Sequence, residues 1–138
     1  MHKAKVQALA FSKDDSYLAS LGGEDDNSVV VWHVDTGKAI CGSPAANDTA
    51  LALKWSNTNE SMFMTGGKYN LRSWQFDLEN RKIRPTDFAL GHMKRVITSL
   101  TLDNDDAFAY CGTESGDLLQ VCELFNIEQS VYDIHCLG

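Results

Sequence analysis

The sequence is poor in proline: among its 138 residues only Pro44 and Pro85 interrupt the chain. It also lacks any apolar run near the roughly 20 residues that a membrane-crossing helix needs, so no membrane partner is expected. The opening Met1-His2-Lys3-Ala4-Lys5 leads into Val6-Gln7-Ala8-Leu9-Ala10-Phe11, a short apolar stretch without a cleavage signature. No secretory signal is read there, and the expected compartment is the cytoplasm. The four cysteines, Cys41, Cys111, Cys122 and Cys136, form no C-x-x-C pair. A zinc site needs closely spaced ligands, so these residues are read as reduced thiols. Neither G-x-x-x-x-G-K-[ST] nor H-E-x-x-H occurs, and no cluster has metal-ligand spacing. The expectation is therefore a protein with no catalytic residues, no cofactor and no metal. A formal net charge of −7 argues against a nucleic-acid partner, because such proteins carry a basic footprint.

What the chain does have is enough apolar content, 43 %, to bury a core and to exclude global disorder. That content is arranged in three similar segments. They run from Ala8 to Gly22, from Leu51 to Gly66 and from Ser99 to Gly112. Each opens with a short apolar strand ending in a bulky residue: Phe11, Trp55 or Leu102. A turn rich in Asp, Asn and Ser follows, as turn chemistry favours. A second apolar strand then runs into a glycine, and a third follows: Val29-Val30-Val31-Trp32, Leu71-Arg72-Ser73-Trp74 and Leu118-Leu119-Gln120-Val121. Phe11 and Trp55 are 44 positions apart, Trp55 and Leu102 are 47, and Trp32 and Trp74 are 42. A period of about 40 to 45 with several short strands per unit is the signature of a propeller blade. The fold class is all-β: antiparallel four-stranded blades, about three of them, in meander order.

These residues resemble the WD-repeat family. In that family a Gly-His, a Ser or Thr in the second strand, an Asp in the next turn and a Trp in the third strand form a hydrogen-bonded network. Mapped onto this sequence, the first repeat supplies His2, Ser20, Asp26 and Trp32. The second keeps Thr65 and Trp74, with Lys68 at the place of the Asp. The third keeps Gly91-His92 but has Cys111, Ser115 and Val121 at the other three places. The resemblance implies that His2, Ser20 and His92 are bracing groups and not the base and nucleophile of a hydrolase.

Some stretches resemble one ciliary family of WD-repeat proteins more closely. Ala39-Ile40-Cys41-Gly42-Ser43-Pro44 and Asn80-Arg81-Lys82-Ile83-Arg84-Pro85-Thr86 carry most of this, because they are not generic blade wording. The resemblance runs over about residues 3 to 121. It implies a non-enzymatic scaffold inside the doublet microtubules of motile cilia. Its partners would be tubulin and neighbouring inner proteins of the axoneme. The alternative function is a soluble cytosolic WD-repeat adaptor for a multiprotein complex such as a ubiquitin ligase. Residues 1–121 are thus read as three repeats, about 2–38, 39–90 and 91–121. Residues 122–138 are read as a divergent tail, in which a short helix or an extra strand is expected.

Propellers close with about four to eight blades, so three leave two sheet flanks open. The expectation is that further blades or a partner cover them. The charge is also uneven. Residues 68–95 hold seven Lys/Arg against three Asp/Glu, whereas residues 96–138 hold eight Asp/Glu and no Lys or Arg. The basic island, Lys68, Arg72, Arg81, Lys82, Arg84, Lys94 and Arg95, is read either as a solvated outer strand and loop or as the candidate contact with an acidic protein surface such as tubulin.

Overall fold

In the computed structural model the described residues are 2, 5–23, 25–45, 49–88, 95–122 and 134–136, the last three by their backbone alone. The Gly91-His92 pair and Lys94 lie outside them. Among the described residues all regular secondary structure is β-strand.

The first sheet holds β1 (Val6–Phe11), β2 (Tyr17–Gly22), β3 (Ser28–His33) and β4 (Lys38–Pro44). The second holds β5 (Ala50–Trp55), β6 (Met62–Gly67), β7 (Asn70–Asp77) and β8 (Lys82–Asp87). The third holds β9 (Ile97–Leu102), β10 (Phe108–Thr113), β11 (Leu118–Cys122) and β12 (Ile134–Cys136). Within each sheet, neighbouring strands are consecutive in sequence and antiparallel, which is the meander of a propeller blade. The part of the tail that is described adds a fourth strand: β12 pairs with β11 through Leu119–Cys136, Gln120–His135 and Val121–Ile134.

Residues paired across antiparallel strands point to the same face. In the first blade Ala8, Ala10, Ala19, Leu21, Val29 and Val31 point to one side. There they meet Leu53, Trp55, Phe63 and Trp74 of the second blade in one buried cluster. The large rings lie in a ladder: Tyr17 stacks on Trp55 at 6.5 Å between centroids, Trp55 on Phe63 at 4.9 Å, and Phe63 on Trp74 at 5.9 Å. The opposite face of the second blade supplies Met64 and Leu71 to a second cluster. This one is filled by Ile97, Leu102, Ala109, Cys111, Leu119 and Val121 of the third blade. The first junction is thus aromatic against small aliphatic residues, and the second is aliphatic and sulfur-rich. Both follow from the period-2 pattern: the inner strands of the second blade are apolar on both sides because that sheet is covered on both sides.

The described residues form three blades in a row, not a closed ring, and among them each end blade turns one face outward. On the first blade that face carries Leu9 and Phe11, 61 % and 55 % exposed. On the third it carries Phe108 and Leu118.

Candidate functional site

The bracing network of the first blade is assembled as the residue pattern asks. His2 precedes β1, Ser20 lies on β2, Asp26 in the β2–β3 turn and Trp32 on β3. His2 Nδ1 is 2.5 Å from Asp26 Oδ2, and His2 Nε2 is 2.6 Å from Ser20 Oγ. Trp32 Nε1 donates to Ser20 Oγ at 2.7 Å. In the neutral ring this places the proton on Nδ1, donated to Asp26, while Nε2 accepts from the Ser20 hydroxyl. The side chains of His2 and Asp26 are almost fully buried, where an unpartnered polar group would be costly.

Two features of the network are not in the family pattern. Ser28 Oγ donates to Asp26 Oδ1 at 3.0 Å and lies 3.2 Å from His2 Nδ1. It stands two residues after Asp26, the short-range spacing at which hydroxyls and carboxylates pair in turns. Gly22 makes room for the carboxylate, because a Cβ there would collide with Asp26 Oδ2. The Ser20-His2-Asp26 order superficially matches a nucleophile, base and orienter. Ser20 is only 3 % exposed, however, and its oxygen already accepts the Trp32 N–H. Ser20 Oγ is thus held inside the blade by both His2 and Trp32.

In the second blade Trp74 Nε1 donates to Thr65 Oγ1 at 2.9 Å, fully buried. The β6–β7 turn is reduced to Lys68-Tyr69, with Tyr69 at φ +61°. That is three residues shorter than the matching part of the β2–β3 turn, so no acidic side chain is presented. Lys68 is exposed; its backbone bridges to Val96 of the third blade, its amide donates to Thr49 O at 2.8 Å and its carbonyl accepts from Asn70 Nδ2 at 2.9 Å. In the third blade Cys111 and Val121 occupy the buried Ser/Thr and Trp places and bond by packing alone. The carboxylate of its β10–β11 turn comes from Asp117, not from Ser115, which itself donates to Asp117 Oδ2 at 3.2 Å. Asp117 pairs with Arg95 Nε at 2.5 Å. Its position was available in the spacing: Asp117 is six residues beyond Cys111, as Asp26 is six beyond Ser20.

The basic island is divided by the fold. Arg72 pairs with Asp87, donates to Ala45 O at 2.9 Å and lies 5.8 Å from the Trp74 ring centroid. It is a strut between the first two blades. Arg84 pairs with Asp77 at 2.9 Å. Hydrogen bonds from Asn80 and Arg84 hold the Asp77 carboxyl at about 2. Arg81 Nε donates to Ile40 O at 3.3 Å across the outer strands, from a residue held at φ +53°. Lys82 projects from the exposed β8 edge beside it. Together with Lys38 and Leu78, Arg81 borders a shallow groove between β4 and the β7–β8 turn.

A third set of side chains was not anticipated. Asp106, at φ +57° in the β9–β10 turn, reaches into the β5–β6 turn of the second blade. It accepts from Ser56 Oγ, from Thr58 Oγ1 at 2.6 Å, and from the amides of Asn57 and Thr58 at 3.0 Å each. Burial raises the Asp106 carboxyl, but these donors outweigh it and hold it below the ordinary carboxylate value. Asn57 Nδ2 completes the tie by donating to Leu102 O and Asp103 O at 3.3 and 2.8 Å.

Residues 1–33 match the family described as WD domain, G-beta repeat. The chain is 49 % identical over 121 residues to cilia- and flagella-associated protein 52 of Chlamydomonas reinhardtii, and 49 % identical over 124 residues to the protein of that name from Homo sapiens. Each match covers 88 % of this chain and 20 % of the relative, so the chain spans about a fifth of the length of the curated relatives it matches. Among solved structures, a chain of the crystal structure of the mitotic checkpoint complex superposes with a TM-score of 0.72 at 22 % identity. That superposition covers 85 % of this chain and 36 % of the other, and it shows the shared fold.

Proposed function

We propose, from the premise that the chain belongs to the WD-repeat β-propeller proteins and closely resembles cilia- and flagella-associated protein 52, that it is a non-enzymatic structural scaffold of motile cilia. The observation that carries this reading is the 49 % identity over 88 % of the chain to proteins named for cilia and flagella. The geometry supports it. Among the described residues, His2, Ser20, Asp26, Trp32, Thr65 and Trp74 hydrogen-bond to one another within their blades. In this reading the scaffold is a microtubule inner protein of the axonemal doublet, and it binds tubulin and neighbouring inner proteins.

Contact with an acidic surface falls to the exposed edge of the second blade, at Arg81, Lys82 and Arg84. Complementary charge there would steer docking and fix register more than add raw affinity. Reversing the three together, Arg81→Glu, Lys82→Glu and Arg84→Glu, is expected to weaken co-sedimentation with microtubules, most strongly at low salt. Unchanged co-sedimentation would remove the tubulin contact from the proposal. A tagged copy distributed along the axoneme supports the ciliary scaffold. A diffuse cytosolic pool would point to a soluble adaptor for a multiprotein complex such as a ubiquitin ligase.

A further inference from the structure

The β3–β4 and β7–β8 turns match residue for residue: Val34, Asp35, Thr36 and Gly37 against Leu78, Glu79, Asn80 and Arg81. Gly37 and Arg81 hold the same place and the same left-handed backbone, φ +69° and +53°. Glycine adopts that conformation without steric cost, whereas a Cβ is disfavoured there. The second blade thus places an arginine where the first uses glycine, against the preference of its backbone. Facing it, β4 carries a bulge: Cys41 pairs with Val31 and Ala39 with Trp32, so Ile40 is the extra residue between them. A bulge re-aims the residue it frees. The two irregularities meet, since Arg81 Nε donates to Ile40 O at 3.3 Å.

Between them lies the groove bordered by Lys38, Ile40, Leu78 and Arg81, with a volume of about 290 Å³. Its lining is apolar and cationic. No Asp or Glu belongs to it, and Asp35 and Glu79 of the two turns stand outside. In a chain of net charge −7 that is a local reversal of sign. The cations are also uncommitted. Arg72, Arg84 and Arg95 each pair with an aspartate, but among the described residues neither Arg81 nor Lys38 pairs with a carboxylate. With Nε held by Ile40 O, the terminal nitrogens of the Arg81 guanidinium are left for a bidentate acceptor. Beside them Leu78 is 50 % exposed, and Ile40 packs on the core behind the groove.

We propose that this groove docks an acidic linear segment of a partner protein, whose carboxylates are taken by Arg81 and Lys38 while an aliphatic side chain beside them lies between Ile40 and Leu78. Charge complementarity selects the acid and fixes its register. The apolar pair selects the neighbouring residue by burying it. A groove of this size admits the side chains of an extended segment and not a folded surface. This rests on the acidic contact proposed above, with which it shares Arg81. The docking point shifts from the exposed β8 edge into the seam between the outer strands of two blades.

Fluorescence polarisation tests this on the 138-residue chain, with labelled peptides in which one leucine is walked through a short run of glutamates. One leucine position should bind best, and glycine in place of that leucine should weaken binding about tenfold. Arg81→Gly should weaken the best peptide about tenfold, as loss of a charge-assisted hydrogen bond does. Its melting temperature should hold, because glycine suits the turn, as Gly37 does in the first blade. Leu78→Ser should weaken the same peptide by a similar factor. Lys82→Gln, on the β8 edge outside the groove, should bind as the parent does. No peptide binding, or parent-like binding by Arg81→Gly or Leu78→Ser, would overturn the inference. Equal losses in Lys82→Gln and Arg81→Gly would overturn it too, and would leave a diffuse acidic contact along β8. A parent chain that binds the peptides, with microtubule co-sedimentation unmoved by the triple reversal, would keep the groove and remove tubulin as the source of the segment.

Discussion

Phe11 and Trp55 end the inner strands of consecutive blades, and the sequence grammar treats them alike. The structure separates them: Trp55 is 1 % exposed and Phe11 is 55 % exposed. Truncating each to alanine should therefore cost very different amounts. Removing a buried tryptophan side chain typically costs about 3–5 kcal/mol through lost transfer energy and the cavity left behind. Trp55 also stacks on Phe63 and Tyr17 and meets Phe76 edge-on at 6.3 Å, and such ring pairs add about 0.5–1.5 kcal/mol each. Its Nε1 donates to Glu60 O at 3.2 Å, worth about 1 kcal/mol. Because these terms overlap, Trp55→Ala is expected to cost about 5 kcal/mol, a fall in melting temperature of roughly 15–20 °C for a chain of this size. Phe11→Ala should stay within about 0.5 kcal/mol, as exposed substitutions do. Urea titration followed by far-ultraviolet circular dichroism measures both. Equal losses in the two variants would refute the reasoning, since they would mean that the Phe11 face is already covered in solution.

Three other outcomes follow from single residues. Thr65→Val should cost about 1–3 kcal/mol in the same titration, because it leaves the buried Trp74 N–H without its acceptor. Burial pushes the Cys111 thiol up to about 12, so Cys111 should resist maleimide at neutral pH in the folded chain and react only after denaturation. Site-resolved mass spectrometry reads this, and prompt labelling of Cys111 in the native chain would contradict the buried second cluster. Asp106 is held below the usual carboxylate range, so its contribution is full above the unfolded-chain value near 3.9 and is lost as pH falls through its folded value. Asp106→Asn should flatten that acid-side loss in stability measured from neutral pH down to about 3, and an unchanged slope would show that the carboxylate is not the titrating tie.

The inner three strands of each repeat were legible because their apolar residues pack against a neighbouring blade on at least one face and recur at the blade period. The outer strands were not. In β8 only Ile83 is buried, and in β4 no residue is, so neither carries an alternating stripe. The described end of the tail joins the third sheet by backbone pairing, which sequence pattern does not encode. Of the candidate residues, the four of the first blade meet in one hydrogen-bonded set, each at a fixed spacing along one sheet. Ser28, Asp117 and Asp106 were not singled out, because a turn residue's partner depends on where another loop passes. The Ser56–Asp106 tie spans 50 positions and two blades. The basic island looked continuous in sequence and is divided in space, because Asp77 and Asp87 pair with Arg84 and Arg72 across neighbouring strands and Asp117 pairs with Arg95 from the β10–β11 turn.

The unequal composition of the two junctions has an optical consequence. All three tryptophans, Trp32, Trp55 and Trp74, stand in the first two blades, and two of them line the first junction. The second junction holds no tryptophan, and Tyr110 is the aromatic phenol of the described third blade. Tryptophan emission from this molecule therefore reports on one seam and is silent on the other. A third blade that loosens ahead of the rest would leave the emission spectrum still while the circular dichroism signal falls, so the lag between the two signals gives the order in which the seams open.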